Sequence, residues 1–159
     1  MTGKLKEEIK QTRPFTSLRE EVALALSRTA DLVAVPMNEV LRAAGLSASQ
    51  YNVLRILRGS AGDALPCGEI SERMIRRDPD LTRLLDRLER SGLVTRSRGT
   101  EDRRVVRASI TEAGLELLTS LDPQIEEAVE TSLNHMPAER LRELLDLLEE
   151  ARSGSEWPR

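Results

Sequence analysis

Apolar positions recur along most of this chain at the three- and four-residue steps of a helix, and only one stretch alternates as a strand does. From Thr16 or Ser17, the positions Val22, Ala25, Leu26, Val33, Met37, Val40 and Leu41 continue to Gly45, which predicts one long helix. Ser17 and Glu20 have the capping-box spacing, in which hydroxyl and carboxylate satisfy each other's orphan backbone donors. Pro36 lies inside the run and removes one donor, so a kink is expected there. A second helix is predicted from about Ser47 to Leu57, with Tyr51, Val53, Leu54 and Leu57 apolar. The segment from Gly59 to Asp63 then breaks the chain, and a short helix after Pro66 turns Ile70 and Met74 inward.

Arg76-Arg77-Asp78 reads as a turn, and a sharply defined helix follows it. Asp78 suits the N-cap, and Pro79 suits the first helical position, where its missing N–H costs nothing. Leu81, Leu84, Leu85 and Leu88 form the i, i+3, i+4, i+7 stripe of an amphipathic helix. The opposite face holds Pro79, Arg83, Asp86 and Arg90, flanked by Asp80, Thr82 and Arg87, and Gly92 ends the helix. Two short helices about a tight turn, the second with an Arg-bearing outer face, make a helix-turn-helix. From Leu93 to Ile110 the pattern becomes strand, turn, strand, with Arg96, Arg98, Arg103, Arg104 and Arg107 in the hairpin. A helix-turn-helix followed by a basic hairpin is a winged helix. Thr111 caps a further helix in which Pro123 predicts a second kink, and Pro137 opens a last helix striped by Leu141, Leu144, Leu145 and Leu148. The expected fold is therefore mainly α with a small β-hairpin wing (α+β): a winged helix-turn-helix of six helices.

Composition narrows the chemistry. Of 159 residues, 39% are apolar and 32% charged, which suits one soluble domain with a modest core. The longest apolar run, Leu32 to Met37, is far below the ~20 residues that span a bilayer. The first eight residues carry no apolar stretch of the kind a secretory signal needs. A single cysteine, Cys67, excludes an intrachain disulfide and fits a reducing compartment, so a cytoplasmic protein without membrane contact is expected. With one Cys and one His (His135), no Cys/His zinc cluster forms within one chain, and no glycine-rich phosphate loop is present. No catalytic constellation, metal or cofactor is expected, and the chain does not read as an enzyme.

A formal charge of −3 hides strong segregation. Arg73 to Arg107 contains 11 Arg against 6 acids, a net of +5, whereas Thr111 to Glu150 contains 11 acids offset only by Arg140 and Arg142. A basic middle between acidic helices is the footprint of a site for a polyanion.

Three blocks in order then resemble the MarR family of bacterial transcriptional regulators. They are Gly45 to Leu54, Thr82 to Val94, and Asp102 to Gly114 with its D-x-R…[LI]-T-x-x-G pattern. The resemblance covers about residues 17 to 150. It implies a homodimer whose N- and C-terminal helices interlock, a pseudo-palindromic double-stranded DNA operator, repression, and release by a small-molecule effector or an oxidant. The expected division is a flexible N-terminal arm over 1–15, a helical dimerisation region over 16–45 and 111–152, a DNA-binding lobe over 46–110 and a loose tail over 153–159.

The expected DNA contacts follow. On the recognition helix they are Pro79, Asp80, Thr82, Arg83, Asp86 and Arg87, with Arg83 the first choice for a base edge or phosphate. Arg76 and Arg77 are expected on phosphates, which fix register without reading sequence. In the wing, the resemblance makes Arg104 the minor-groove arginine, oriented by Asp102 through a charge-assisted pair. Arg96, Arg98 and Arg103 are expected on phosphates. Tyr51 is a candidate wall residue of the effector cavity that the resemblance implies between the dimerisation helices and the DNA-binding lobe, with a packing tyrosine of the core as the alternative. Two rival readings stay open: a thiol-based redox-sensing repressor acting through Cys67, and a helical interaction module whose basic hairpin docks an acidic protein.

Overall fold

The computed structural model describes residues 4–60, 62–98 and 105–154. Among them the chain forms α1 (Lys4–Glu8), α2 (Leu18–Ala43), α3 (Ala48–Arg58), β1 (Leu65–Pro66), α4 (Cys67–Arg73), α5 (Leu81–Arg90), β2 (Val94–Arg98), β3 (Val106–Ile110), α6 (Glu112–Leu133) and α7 (Ala138–Ser153). The fold is mainly helical with a small antiparallel sheet, as the sequence predicts. The six expected helices are joined by α1, a short helix in the polar leader. Chain contacts divide the molecule into two units, Val35–Ala128 and the residues up to Ala34 together with those from Val129 onward.

The unit Val35–Ala128 holds the core. Val53, Leu54 and Leu57 of α3, Ile70 of α4, Leu85 and Leu88 of α5, Val94 and Ala108 of the sheet, and Leu118 of α6 are almost wholly removed from water. At ~25 cal/mol per Å² of apolar surface, this cluster supplies most of the drive for the unit to fold. α3 starts with a full capping box: the Gln50 N–H donates to Ser47 Oγ at 3.2 Å, and the Ser47 N–H donates to Gln50 Oε1 at 2.8 Å. The sheet has three strands in the order β1-β3-β2 rather than the two of the expected hairpin. Two residues, Leu65 and Pro66, pair with Ala108 and Arg107 of β3. Pro66 is tolerated because it lies on an edge strand.

The start of α5 differs from the sequence expectation. Asp80, not Asp78, is the N-cap, and Leu81 rather than Pro79 is the first helical residue. Asp78 Oδ1 instead accepts the Asp80 N–H at 2.9 Å, a turn closed two residues on. Asp80 Oδ1 then accepts from the Arg83 N–H at 3.4 Å. The helix ends at Gly92, which adopts φ +72° and lets the Leu93 N–H reach back to the Leu88 carbonyl at 3.0 Å.

Thr111 joins that end to α6. Its hydroxyl donates to the Gly92 carbonyl at 2.7 Å and accepts the Gly114 N–H at 3.1 Å, while its own N–H donates to the Leu93 carbonyl at 3.0 Å. Gly114 is needed because a Cβ there would lie 2.5 Å from the Leu93 carbonyl oxygen.

The second unit is almost coreless: of its described apolar residues only Leu5 is buried. Leu18 is 75% exposed, and Val22, Leu26 and Leu32 of α2, Val129 of α6, and Leu145 and Leu147 of α7 also stand in water. At the start of α2, Ser17 Oγ accepts the Glu20 N–H, but Glu20 reaches one residue further back than a capping box requires, to the N–H and hydroxyl of Thr16. Those two donors hold the Glu20 carboxyl below its ordinary pKa. α2 is helical through Pro36, and near that proline the Ser132 hydroxyl donates to the Val33 carbonyl at 3.0 Å. Among the described residues no helix is long and apolar enough to cross a membrane.

Candidate nucleic-acid interface

Leu81, Leu84, Leu85 and Leu88 face the core, so the opposite side of α5 faces water. Thr82, Arg83 and Arg87 are exposed there, as is Pro79 just before the helix. Arg83 is 76% exposed, and its Nε lies 3.1 Å from Asp80 Oδ2. Asp80 thus does two things: it caps the helix and steadies the arginine of the next turn. An exposed pair of this kind is worth little stability, and its effect is to order the guanidinium.

The turn before α5 carries Arg76 and Arg77, both exposed. It is anchored at its start, where the Ile75 N–H donates to Asn52 Oδ1 at 2.9 Å. The partners of this tie between α3 and the turn are 23 residues apart, so no local pattern of the sequence links them.

Asp86 and Arg96 are drawn into a buttress instead of pointing outward. Arg96 Nη2 lies 2.6 Å from Asp86 and 2.8 Å from Glu89, its Nε donates to Glu89 at 2.9 Å, and its backbone N–H donates to the same carboxylate at 3.1 Å. The hydrogen bond that Arg96 donates to Glu89, reinforced by both negative charges, raises the guanidinium pKa further above its ordinary value. β2 is thereby clamped to α5. Arg98 is exposed at the end of β2, whereas Arg107 donates to the Ala64 carbonyl at 3.0 Å and supports the strand before α4. Asp102, Arg103 and Arg104 lie outside the described residues.

Beside the buttress is a cavity of about 450 Å³ whose wall includes Pro66, Cys67, Thr82, Leu85, Arg96 and Val106. Cys67 is half-buried at the start of α4, and desolvation pushes its thiol pKa up, against a smaller opposing pull from Arg96. Tyr51 is 6% exposed, its ring belongs to the core cluster, and the Arg55 guanidinium lies 5.8 Å from the ring centroid. No group of three or more His, Cys, Asp or Glu suited to a metal ion occurs among the described residues.

A family model described as "MarR family" matches residues 46–106. Over 133 residues, 84% of this chain and 88% of the relative, the sequence is 29% identical to the homoprotocatechuate degradative operon repressor of Escherichia coli. The crystal structure of a MarR transcription factor from Planctomyces limnophilus is similar at 41% identity and a TM-score of 0.66, covering 86% of this chain and 98% of that one. A crystal structure of NadR in complex with 4-hydroxyphenylacetate is similar at 25% identity and a TM-score of 0.68, covering 87% of this chain and 97% of that one.

Proposed function

The chain belongs to the MarR family of transcriptional regulators, and on that premise we propose that it is a homodimeric repressor of a pseudo-palindromic DNA operator, released by a small organic effector. The observation that carries this reading is α5: four buried leucines on one side, and Thr82, Arg83 and Arg87 in water on the other. Such a helix fits the major groove, where Arg83 makes the base contact, worth about 1–3 kcal/mol of discrimination if bidentate to guanine. Pro79 leads the chain into the groove, and Asp80 aims Arg83. Arg76, Arg77 and Arg98 bind phosphates. For the residues outside the described ones, the family resemblance supports Arg104 in the minor groove with Asp102 orienting it, and Arg103 on a phosphate. Arg96, expected on a phosphate, is read here as a strut, because Asp86 and Glu89 already hold its charge.

The homodimer is supported by the near-absence of buried residues in the second unit. Long helices with several exposed leucines gain most when a second copy covers them. The dimerisation region is assigned to 16–45 and 111–152 and the DNA-binding lobe to 46–110, with two-fold symmetry setting half-sites about 10 bp apart. For the effector, the cavity beside α5, which the core residue Tyr51 does not line, falls within the ~300–1,000 Å³ range of ligand pockets. Aromatic acids such as the 4-hydroxyphenylacetate bound in the NadR crystal structure are the first probes. The protein is assigned to the cytoplasm, where its thiol stays reduced and DNA is accessible.

Selection of genomic fragments by the purified protein, followed by fluorescence anisotropy at increasing salt, tests the reading. A two-fold-symmetric fragment bound by a dimer, with affinity falling steeply in salt, is expected. A monomer indifferent to every genomic fragment refutes it, and salt-dependent capture of an acidic protein instead of DNA favours an interaction module.

A further inference from the structure

We propose that Asn52 is a positioning residue for DNA binding: from α3 it holds the turn that presents Arg76 and Arg77, an inference that rests on the DNA-binding reading above. α4 ends at Arg73, and at its C-cap, Met74, the chain becomes extended (φ −68°, ψ 137°). The next N–H, that of Ile75, therefore has no helical carbonyl to meet, and Asn52 Oδ1 takes it at 2.9 Å. The acceptor is fixed in place because Tyr51, Val53 and Leu54, its neighbours on α3, are buried and set the rotation of that helix. At the far end of the turn Asp78 accepts the Asp80 N–H, and Asp80 accepts that of Arg83. Side-chain oxygens thus tie both ends of a segment whose middle is exposed.

The last apolar anchor before the turn is the buried Met74, and from Ile75, which is 69% exposed, the chain leaves the core. The amide bond to Asn52 aims the backbone from which Arg76 and Arg77 project before DNA arrives, so less ordering entropy is lost on contact. Phosphate contacts made this way add to the salt dependence of binding, each contributing about 0.9 to the slope of log affinity against log salt.

The test compares the wild type with Asn52→Ala, which removes the acceptor, and Asn52→Asp, which keeps it. Each is titrated by anisotropy between 50 and 200 mM salt (on the order of the range in which such slopes are resolved) against the genomic fragment the wild type selects, and exchange of the Ile75 amide is followed by NMR. Asn52→Ala is expected to lose Ile75 protection, bind about five- to tenfold more weakly and show a slope shallower by about 1–2. Asn52→Asp restores Ile75 protection and recovers part of the slope, the rest being lost to its added negative charge beside the phosphate contacts. An Ala variant with the wild-type slope, or an Asp variant that restores neither readout, overturns the inference while leaving the DNA-binding reading intact. A wild type that binds no DNA overturns that reading and this inference together, and Ile75 exchange then still reports whether Asn52 holds the turn.

Discussion

Replacing Gly114 by alanine asks α6 to house a methyl group where the preceding chain leaves no room. The new Cβ would lie 2.5 Å from the Leu93 carbonyl oxygen and 2.7 Å from Ile110 Cγ1. Close C···O approaches begin at about 3.3 Å, so the first turn of α6 must retreat by roughly 0.8 Å. Ile110 can rotate away, but Leu93 meets the methyl with backbone. The retreat stretches the two bonds that tie Thr111 to Gly92 and Leu93, now 2.7 and 3.0 Å. Overpacking costs about 1–3 kcal/mol and weakening two hydrogen bonds about 1 kcal/mol more, while alanine returns about 1 kcal/mol of helix propensity. A net loss of about 2 kcal/mol lowers the melting temperature by about 4–8 °C for a chain of this size. Circular dichroism melts at one fixed protein concentration measure it, since melting of an oligomer depends on concentration. Gly68→Ala is the control, because a Cβ there meets nothing within 4 Å. A Gly114→Ala protein that melts at or above the wild type, or a control that falls as far, refutes the reasoning.

Arg83→Ala is expected to weaken operator binding by about 1–3 kcal/mol and to leave the melting temperature nearly unchanged, because its pair with Asp80 is exposed; anisotropy and thermal melts on one sample check both halves. Arg96→Ala leaves Asp86 and Glu89 facing each other without their shared cation, so urea unfolding is expected to show a loss of about 1–2 kcal/mol, and an unchanged midpoint would contradict the buttress. Burial raises the Cys67 thiol pKa, so the thiolate forms only above its ordinary range. Alkylation at neutral pH should therefore be slower than for free cysteine, and peroxide should leave operator affinity unchanged; fast alkylation with loss of binding would restore the thiol-sensor reading. The same shift leaves stability undisturbed below the free-thiol pKa and erodes it as pH rises through the folded value.

What was legible in the sequence was what neighbouring residues decide among themselves. The leucines of α5 repeat at helical spacing, Gly92 has no competitor for the residue after that helix, and Thr111 stands three residues before Gly114 as a cap should. The start of α5 was harder to read because Asp78, Pro79 and Asp80 all carry N-terminal chemistry, and only the folded turn shows that Asp78 is engaged by the Asp80 N–H. β1 is two residues long and has no periodicity of its own, so its pairing with β3 is a consequence of tertiary packing. Arg96 illustrates the limit of counting charge. Its partners stand seven and ten residues earlier, and only the reversal from α5 into β2 brings them together, turning an apparent contribution to a basic surface into an internal brace. Asn52 carried no signal at all, since a side-chain acceptor for a distant turn leaves no trace in spacing or composition.

Leu18, Leu32, Leu145 and Leu147, left wet on α2 and α7, tie the fate of each newly made polypeptide to the supply of whatever shields them. Were that cover a second copy, as proposed above, a molecule that meets its partner late would spend the interval with greasy helices open to proteases and to clumping, and mass action would shorten the interval as synthesis rises. Abundance and durability would then climb together, so that a modest change in gene dosage would yield a more than proportional change in the amount that survives.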